Sequence, residues 1–333
     1  MTRAIALLLA GLLLLIGGTA PLRADEPAAA APAPAPSASL VEPFTIDEYD
    51  WTDATRQRSV PVRLYLPRTA SVARPVPLIV FSHGIGGTRR GYTYLGTYWA
   101  SQGFASLHLQ HVGSDRGVWT GNPIAVLGRL QSAAQDGEAM DRVRDLSFAI
   151  DQLLAGANGP RIDAQRIVAA GHSYGANTAL LAIGARIERD GAPVPLREPR
   201  IKAAIVISAP PFYGEAAPRR ILGAISVPTL HITATEDIIR VPGYFSPAAD
   251  RLEVFEATGS ADKTLAVFEG GSHNIFSDRG MSGGATLNPQ VKAATQALTL
   301  AFLQRVFGGE AGALRQWGEH HAALLARFKP PAP

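Results

Sequence analysis

The sequence predicts an α/β fold with a mostly parallel central sheet and helices on both of its faces. Strand-like and helix-like segments alternate along most of the chain, which is typical of such a sheet. Several of the strand segments are short, unbroken apolar runs, as expected of strands that are buried on both faces. Of the 333 residues, 47% are hydrophobic and 18% are charged, so the chain can bury a large core and disorder is excluded for most of it.

The N-terminal region predicts export. Arg3 is followed by 13 apolar and glycine residues at positions 4–16, a run that is too short to span a bilayer. We expect a signal peptide at residues 1–24, cleaved after Ala24 rather than after Ala20, because a proline follows Ala20. An uncleaved membrane anchor is the alternative. The interpretation places the protein in the periplasm or outside the cell, with no stable membrane span after cleavage.

Residues 25–40 are rich in proline and alanine and predict an extended linker. A single catalytic domain is expected at residues 41–329. Period-two alternation predicts two antiparallel strands at its start, and apolar runs and helical spacing predict the remaining elements in order. The predicted strands are 44–51, 59–66, 78–82, 104–109, 167–170, 201–208, 229–233 and 264–268, and the predicted helices are 92–102, 140–153, 174–185, 291–306 and 311–328.

Composition excludes several kinds of chemistry. The chain has no cysteine, which rules out disulfides, a thiol nucleophile and thiolate-bound metals. The net charge is only +3 and no basic stripe runs along the sequence, so nucleic acid is not an expected partner. Asp115 and Asp141 lie in one region, but no ligand cluster surrounds them. We predict neither a metal nor a cofactor.

The strongest functional motif is Gly171-His172-Ser173-Tyr174-Gly175. It matches G-x-S-x-G and lies between a predicted buried strand and a predicted helix. A serine on such a tight strand-to-helix turn needs neighbours without Cβ atoms, and the N-terminus of the helix behind it favours negative charge. The motif therefore predicts that Ser173 is a nucleophile.

A nucleophilic serine needs a histidine base and an acid that orients the base. Asp237 follows the predicted strand 229–233, and His273 lies in a glycine-rich loop after the last predicted strand of the parallel series. Asp237 is preferred to its neighbour Glu236 because the shorter side chain suits a fixed contact with an imidazole. The other histidines are expected elsewhere: His108 and His231 within strands, His83 and His111 ahead of the serine, His172 beside it, and His320 and His321 on the last helix.

The order serine, acid, histidine, with each residue just past a strand, is the arrangement of the α/β-hydrolase fold. In that fold, one oxyanion donor comes from the residue after the nucleophile and the other from the loop after an earlier strand. That loop is residues 82–87, Ser-His-Gly-Ile-Gly-Gly. The backbone N–H groups of Ile85 and Tyr174 are therefore the predicted donors.

Three segments resemble platelet-activating-factor acetylhydrolases and the bacterial predicted dienelactone hydrolases grouped with them. The segments are residues 81–86 (FSHGIG), 99–104 (WASQGF) and 171–175 (GHSYG). The resemblance runs over most of residues 60–305 and implies the same triad and the same oxyanion donors. True dienelactone hydrolases use a cysteine nucleophile, which this chain lacks, so the dienelactone label says little about the substrate.

Residues 111–141 separate a predicted strand from its helix by far more than the usual two to six residues, and a lid or pocket wall is expected there. Candidate pocket residues are Trp119, Phe212, Tyr213 and Phe276. Simple packing of this excursion against the body is the alternative.

The sequence thus predicts an exported serine esterase that acts on small-molecule or lipid-like acyl esters. A lipase, polyester hydrolase or peptidase with the same triad is one alternative. A non-catalytic binding protein with this fold is the other.

Overall fold

The computed structural model describes residues 41–212, 217–241, 244–278, 282 and 284–331. The predicted signal peptide and linker lie outside the described residues. The described strands are β1 (Phe44–Asp53), β2 (Arg58–Pro67), β3 (Val76–Ser82), β4 (Ala105–Leu109), β5 (Ile162–His172), β6 (Glu188–Arg189), β7 (Ala192–Pro193), β8 (Ile201–Ile207), β9 (Thr229–Glu236), β10 (Ile239–Val241), β11 (Tyr244–Ser246), β12 (Lys263–Ser272) and β13 (Leu325–Lys329). The described helices are α1 (Thr93–Ser101), α2 (Pro123–Ala133), α3 (Asp136–Ala155), α4 (Tyr174–Ala182), α5 (Pro218–Leu222), α6 (Ala249–Ala257), α7 (Gly284–Leu303) and α8 (Ala313–His320).

Nine of these strands form one sheet, in the order β1-β2-β4-β3-β5-β8-β9-β12-β13. The six strands from β4 to β12 in this order run parallel, and β2 and β13 pair antiparallel at their two sides. Within the described residues, β6–β7 and β10–β11 form separate two-stranded hairpins. The predicted mostly parallel sheet is confirmed.

The two faces of the sheet carry separate hydrophobic cores. In β3, Leu78 and Val80 face one core, and Ile79 and Phe81 face the other, because successive side chains point to opposite faces. The first core packs against α3 and α4, and the second packs against α1, α7 and α8. This double burial explains the unbroken apolar runs in the sequence.

The strand order reverses next to β3. The chain passes from β3 to β4 on one side and then returns to β5 on the other side. In open parallel sheets, ligands bind outside the carboxyl ends of the strands at such a reversal. Ser82 ends β3 and His172 ends β5, so the predicted oxyanion loop and nucleophile follow directly at this point.

The C-terminus differs from the sequence prediction of one helix over residues 311–328. Helix α8 ends at His320, and Leu325–Lys329 is a strand that pairs with β12. Leu314 and Trp317 supply a helical apolar pattern only in the first half of the segment. The second half instead satisfies the backbone of β12, whose outer edge would otherwise be unpaired.

The excursion at residues 111–141 also contains regular structure. A 3₁₀ turn at Arg116–Trp119 and helix α2 precede α3, which begins at Asp136. Within the described residues, no helix is both long enough and apolar enough to cross a bilayer.

Candidate active site

Ser173 lies on a strained turn between β5 and α4. Its backbone has φ 56° and ψ −124°, a conformation that non-glycine residues rarely adopt and that is typical of functional sites. Its N–H group donates to the carbonyl of Ile207 at 2.9 Å, which fixes the turn to the neighbouring strand β8. The side chain is half-buried at the carboxyl edge of the sheet.

The two glycines of the motif are required by space. A Cβ atom on Gly171 would lie 2.1 Å from the carbonyl oxygen of Gly175, and one on Gly175 would lie 1.9 Å from that of Ser82. Real Cβ atoms do not approach backbone oxygen so closely. The turn that presents Ser173 can therefore form only with glycine at both positions.

Asp237 and His273 lie against each other at the same edge of the sheet. His273 Nδ1 donates to Asp237 Oδ1 at 2.6 Å, and the Thr233 hydroxyl donates to the other carboxylate oxygen at 2.7 Å. The Asp237 side chain is fully buried, whereas 13% of the His273 side chain is exposed. Glu236 points into solvent. Of the two acids considered in the sequence, the structure therefore brings Asp237 to the histidine.

The Asp237 carboxylate remains ionised although it is buried. Burial alone would raise its pKa, but the hydrogen bond and charge of His273 and the nearby guanidinium of Arg251 hold the pKa well below its usual range. Arg251 Nε lies 3.4 Å from Asp237 Oδ1 and its side chain is almost fully buried. A carboxylate in this state can orient an imidazole and stabilise it when it is protonated.

His172, next to Ser173, connects the serine turn to the His273 loop. Its Nε2–H group donates to the carbonyl of His273 at 2.9 Å, and the two rings lie 4.7 Å apart. This bond leaves Nδ1 to accept from the Tyr92 hydroxyl at 2.8 Å. Burial and the charge of His273 lower the pKa of His172 to about 3, so it is neutral at neutral pH.

The loop after β3 faces the serine. A Cβ atom on Gly84 would lie 3.2 Å from the Ser173 Cβ atom. The Gly86 N–H donates to the carbonyl of Ser114 at 2.8 Å. Among the described residues, the backbone N–H groups of Ile85 and Tyr174 have no acceptor, so both are available to a ligand oxygen.

The four predicted pocket residues occupy different positions. Trp119 ends the 3₁₀ turn at Arg116–Trp119 and contacts the oxyanion loop, where its Nε1–H donates to the Gly86 carbonyl at 3.3 Å, and 49% of the residue is exposed. Phe212 packs partly buried against the first core, and Tyr213 lies outside the described residues. For Phe276 the structure corrects the prediction of a pocket residue. Phe276 is fully buried against Phe268 and lies beneath the His273 loop, so it is a packing residue and not a wall.

A second serine, histidine and aspartate are linked in the interior. His111 bonds Ser82 Oγ through Nε2 at 3.0 Å and Asp145 through Nδ1 at 3.1 Å. All three residues are fully buried, and Ser82 sits in a regular strand. This cluster, which we call the interior Ser–His–Asp cluster, is closed to substrate and supports β3 and α3.

Arg251 and Tyr92 are among the supporting residues of the site that sequence reasoning missed. Each comes from an element, α6 or the turn before α1, that shows no motif. A lone arginine or tyrosine gives no signal until the fold places it beside Asp237 or His172.

The nine-stranded sheet, the strand reversal and the strained G-x-S-x-G turn are features of the α/β-hydrolase fold. Residues 52–120 match the family model of platelet-activating factor acetylhydrolase, isoform II. The matched segment contains the loop at 83–87 and Trp119 but ends before Ser173. No curated protein sequence matches this chain.

The fold is similar to that of a solved ferulic acid esterase from Streptomyces cinnamoneus. The two chains share 21% sequence identity with a TM-score of 0.60, over 81% of this chain and 92% of the other. Residues 52–120 are thus similar to the acetylhydrolase family, and the fold of the described chain is that of the α/β-hydrolases.

Proposed function

We propose that this protein is a serine-dependent carboxylic ester hydrolase in which Ser173, His273 and Asp237 form the catalytic triad. The observation that carries the proposal is the 2.6 Å bond between His273 and the buried Asp237, at the sheet edge where the strained Ser173 turn also lies. Because Nδ1 of His273 is held by the carboxylate, Nε2 is the nitrogen left to exchange a proton with the serine.

The reaction proceeds in two halves. The Ser173 hydroxyl loses its proton to His273 as Oγ attacks the ester carbonyl, and the backbone N–H groups of Ile85 and Tyr174 stabilise the resulting oxyanion. The alcohol leaves with the proton from His273, and an acyl-enzyme remains. Water then loses a proton to His273 and attacks the acyl carbonyl. The bond between the acyl carbon and Ser173 Oγ breaks, His273 returns the proton to Oγ, and the acid is released.

The substrate is proposed to be a small-molecule or lipid-like acyl ester. The half-exposed Trp119, which contacts the oxyanion loop, supplies apolar surface next to the proposed position of the acyl carbonyl. Export to the periplasm or the medium is part of the proposal and rests on the apolar segment at residues 4–16.

The test is hydrolysis of nitrophenyl esters from acetyl to palmitoyl by the mature protein and by Ser173→Ala. We expect turnover that peaks at short acyl chains and falls by at least about 10³-fold in the variant, since removal of the nucleophile disables the triad. A peak at long chains would favour a lipase or polyester hydrolase. Full activity in Ser173→Ala would refute the triad. A folded protein with no turnover on esters or amides would instead be a binding protein.

A further inference from the structure

Arg142 is a charged side chain buried in the core. It lies on α3 with 0% of its surface exposed, beside the core residues Val143 and Leu146. Burial lowers the pKa of Arg142 to about 10, which leaves the guanidinium protonated at neutral pH. A buried charge is costly unless it is fully hydrogen-bonded, so its partners indicate its role.

Each nitrogen of the guanidinium binds a different segment of the chain. Nη2 donates to the carbonyl of His83, at the start of the oxyanion loop. Nη1 donates to Ser114 Oγ at 2.7 Å, and Nε donates to Thr178 Oγ1 at 2.9 Å. Thr178 is on α4, the helix that begins directly after Ser173. Arg142 therefore bonds both elements that supply the oxyanion donors.

Two more contacts bring Arg142 close to the donors themselves. The guanidinium carbon lies 4.5 Å from the centre of the Tyr174 ring, and Tyr174 carries one of the donor N–H groups. The carbonyl of Ser114 accepts from the Gly86 N–H at 2.8 Å, on the residue after Ile85. The glycine-rich loop has little stiffness of its own and depends on such contacts for its shape.

We propose that Arg142 is the positioning residue of the oxyanion hole, which it assembles by binding the Ile85 loop and the Tyr174 helix with one rigid guanidinium. An oxyanion donor acts at 2.7–3.1 Å from the developing charge, and a displacement of about 1 Å can cost about 10²-fold in rate. The planar guanidinium fixes three acceptors at set angles, which a lysine cannot reproduce. This inference rests on the proposed function.

The test compares Arg142→Gln and Arg142→Lys with a matched control, Arg200→Gln. Arg200 also donates to a buried carboxylate, that of Glu198, and to Asp151 near the other end of α3. It lies directly before β8, at the edge of the sheet away from the site. In Arg142→Gln we expect kcat to fall about 10²-fold with KM changed less than about threefold. Arg142→Lys should lie between this variant and the wild type, and Arg200→Gln should keep kcat within about twofold.

A second measurement separates positioning from general loss of structure. A trifluoromethyl ketone forms a tetrahedral adduct on an active serine, and its oxyanion occupies the same hole. We expect the inhibition constant of this ketone to rise by the same factor as kcat falls in Arg142→Gln, with KM for an ester of the same acyl chain little changed. Thermal melting of each variant shows that it is folded.

Thr178→Val decides the question if Arg142→Gln does not fold, because valine keeps the shape of threonine but lacks the hydroxyl that accepts from Arg142 Nε. The same hydroxyl donates to the Tyr174 carbonyl at 3.1 Å, so Thr178→Ser, which keeps both bonds, is its control. We expect kcat to fall several-fold in Thr178→Val. The proposal is overturned if kcat is unchanged in the folded variants, if Arg200→Gln loses as much kcat, or if KM and the inhibition constant rise together. Ser173→Ala tests the proposed function independently, so failure of the triad is seen whatever the Arg142 variants do.

Discussion

At the scale of single residues, the described part of the chain holds a hydrogen-bonded serine, histidine and aspartate in the interior and the proposed triad at the sheet edge, and accessibility separates the two. In the interior Ser–His–Asp cluster, Ser82 lies in a regular strand and is fully buried. Ser173 lies instead on a strained, half-buried turn, and His273 is partly exposed. A serine linked to a histidine and an aspartate is therefore not a nucleophile by that contact alone. The backbone strain at Ser173 and the opening to solvent distinguish the proposed site.

The acid is a residue-scale prediction. We expect Asp237→Asn to lower kcat by about 10²–10⁴-fold, because the amide cannot stabilise a protonated His273 and favours the wrong tautomer. Glu236→Gln is the matched control, since Glu236 is the exposed neighbour, and it should keep kcat within about twofold. Ester hydrolysis by the two purified variants is the measurement. A larger loss in Glu236→Gln than in Asp237→Asn would reverse the assignment.

The residues of the proposed triad could be selected from the sequence because each follows a recognisable strand. The residues that hold the triad and the oxyanion loop in place could not be selected in this way. Arg142 looks in the sequence like a polar residue on an amphipathic helix, and only the packing of α3 against the sheet shows that it is buried. Phe276 is predicted to line the pocket because it is near His273 in the chain, but the structure buries its side chain in the core.

At the scale of elements, local pattern predicted the parallel strands well and the C-terminus poorly. The apolar runs that became β3, β5, β8, β9 and β12 have one stable position, between two helical layers. Residues 321–328 have an ambiguous pattern, and a strand forms at Leu325–Lys329 because the edge of β12 offers backbone partners. Tertiary pairing overrode local preference there.

The tight turn around the nucleophile gives an element-scale prediction. Gly175→Ala should lose several kcal/mol of stability or fail to fold, because its Cβ would lie 1.9 Å from a backbone oxygen of β3. Gly128→Ala is the matched control within α2. Apart from its own helix backbone and chain neighbours, no described atom lies within 4 Å of its Cβ position, and alanine is favoured over glycine in a helix by about 0.5–1 kcal/mol.

Urea denaturation of both glycine variants measures the difference. We expect Gly175→Ala to unfold at lower urea concentration than the wild type, and Gly128→Ala to unfold at the same or a higher concentration. Equal midpoints for Gly175→Ala and the wild type would contradict the close packing of the serine turn against β3.

At the scale of the whole molecule, five of the eight histidines are buried, and burial keeps them neutral near pH 7. Burial is the main cause that lowers their pKa values, to about 3 for most of them. Unfolded histidines titrate near pH 6.5. Below that pH the unfolded chain binds protons that the folded protein excludes, so stability is lost as the pH falls. The histidines concerned are His83, His108, His111, His172 and His231.

This burial predicts acid lability. The free energy of unfolding should be nearly constant above about pH 7.5 and should fall below pH 6.5, by about 1.4 kcal/mol per pH unit for each histidine once its unfolded form is protonated. His231→Leu should reduce this slope by one such contribution, since His231 is buried beside Phe255 and away from the site. Urea denaturation at pH 7.5, 6.5 and 5.5 measures the slope. Equal stability at pH 7.5 and 5.5 would contradict the buried neutral state.

The central claim is that Ser173 is an activated nucleophile, and covalent labelling tests it most directly. The folded protein is treated with a fluorophosphonate probe, digested, and the labelled peptide is identified by mass spectrometry. We predict a single label on Ser173, absent in Ser173→Ala and retained in Ser82→Ala, because Ser82 is sealed in the interior. A folded protein that takes no label, or that is labelled on another serine, would contradict the account.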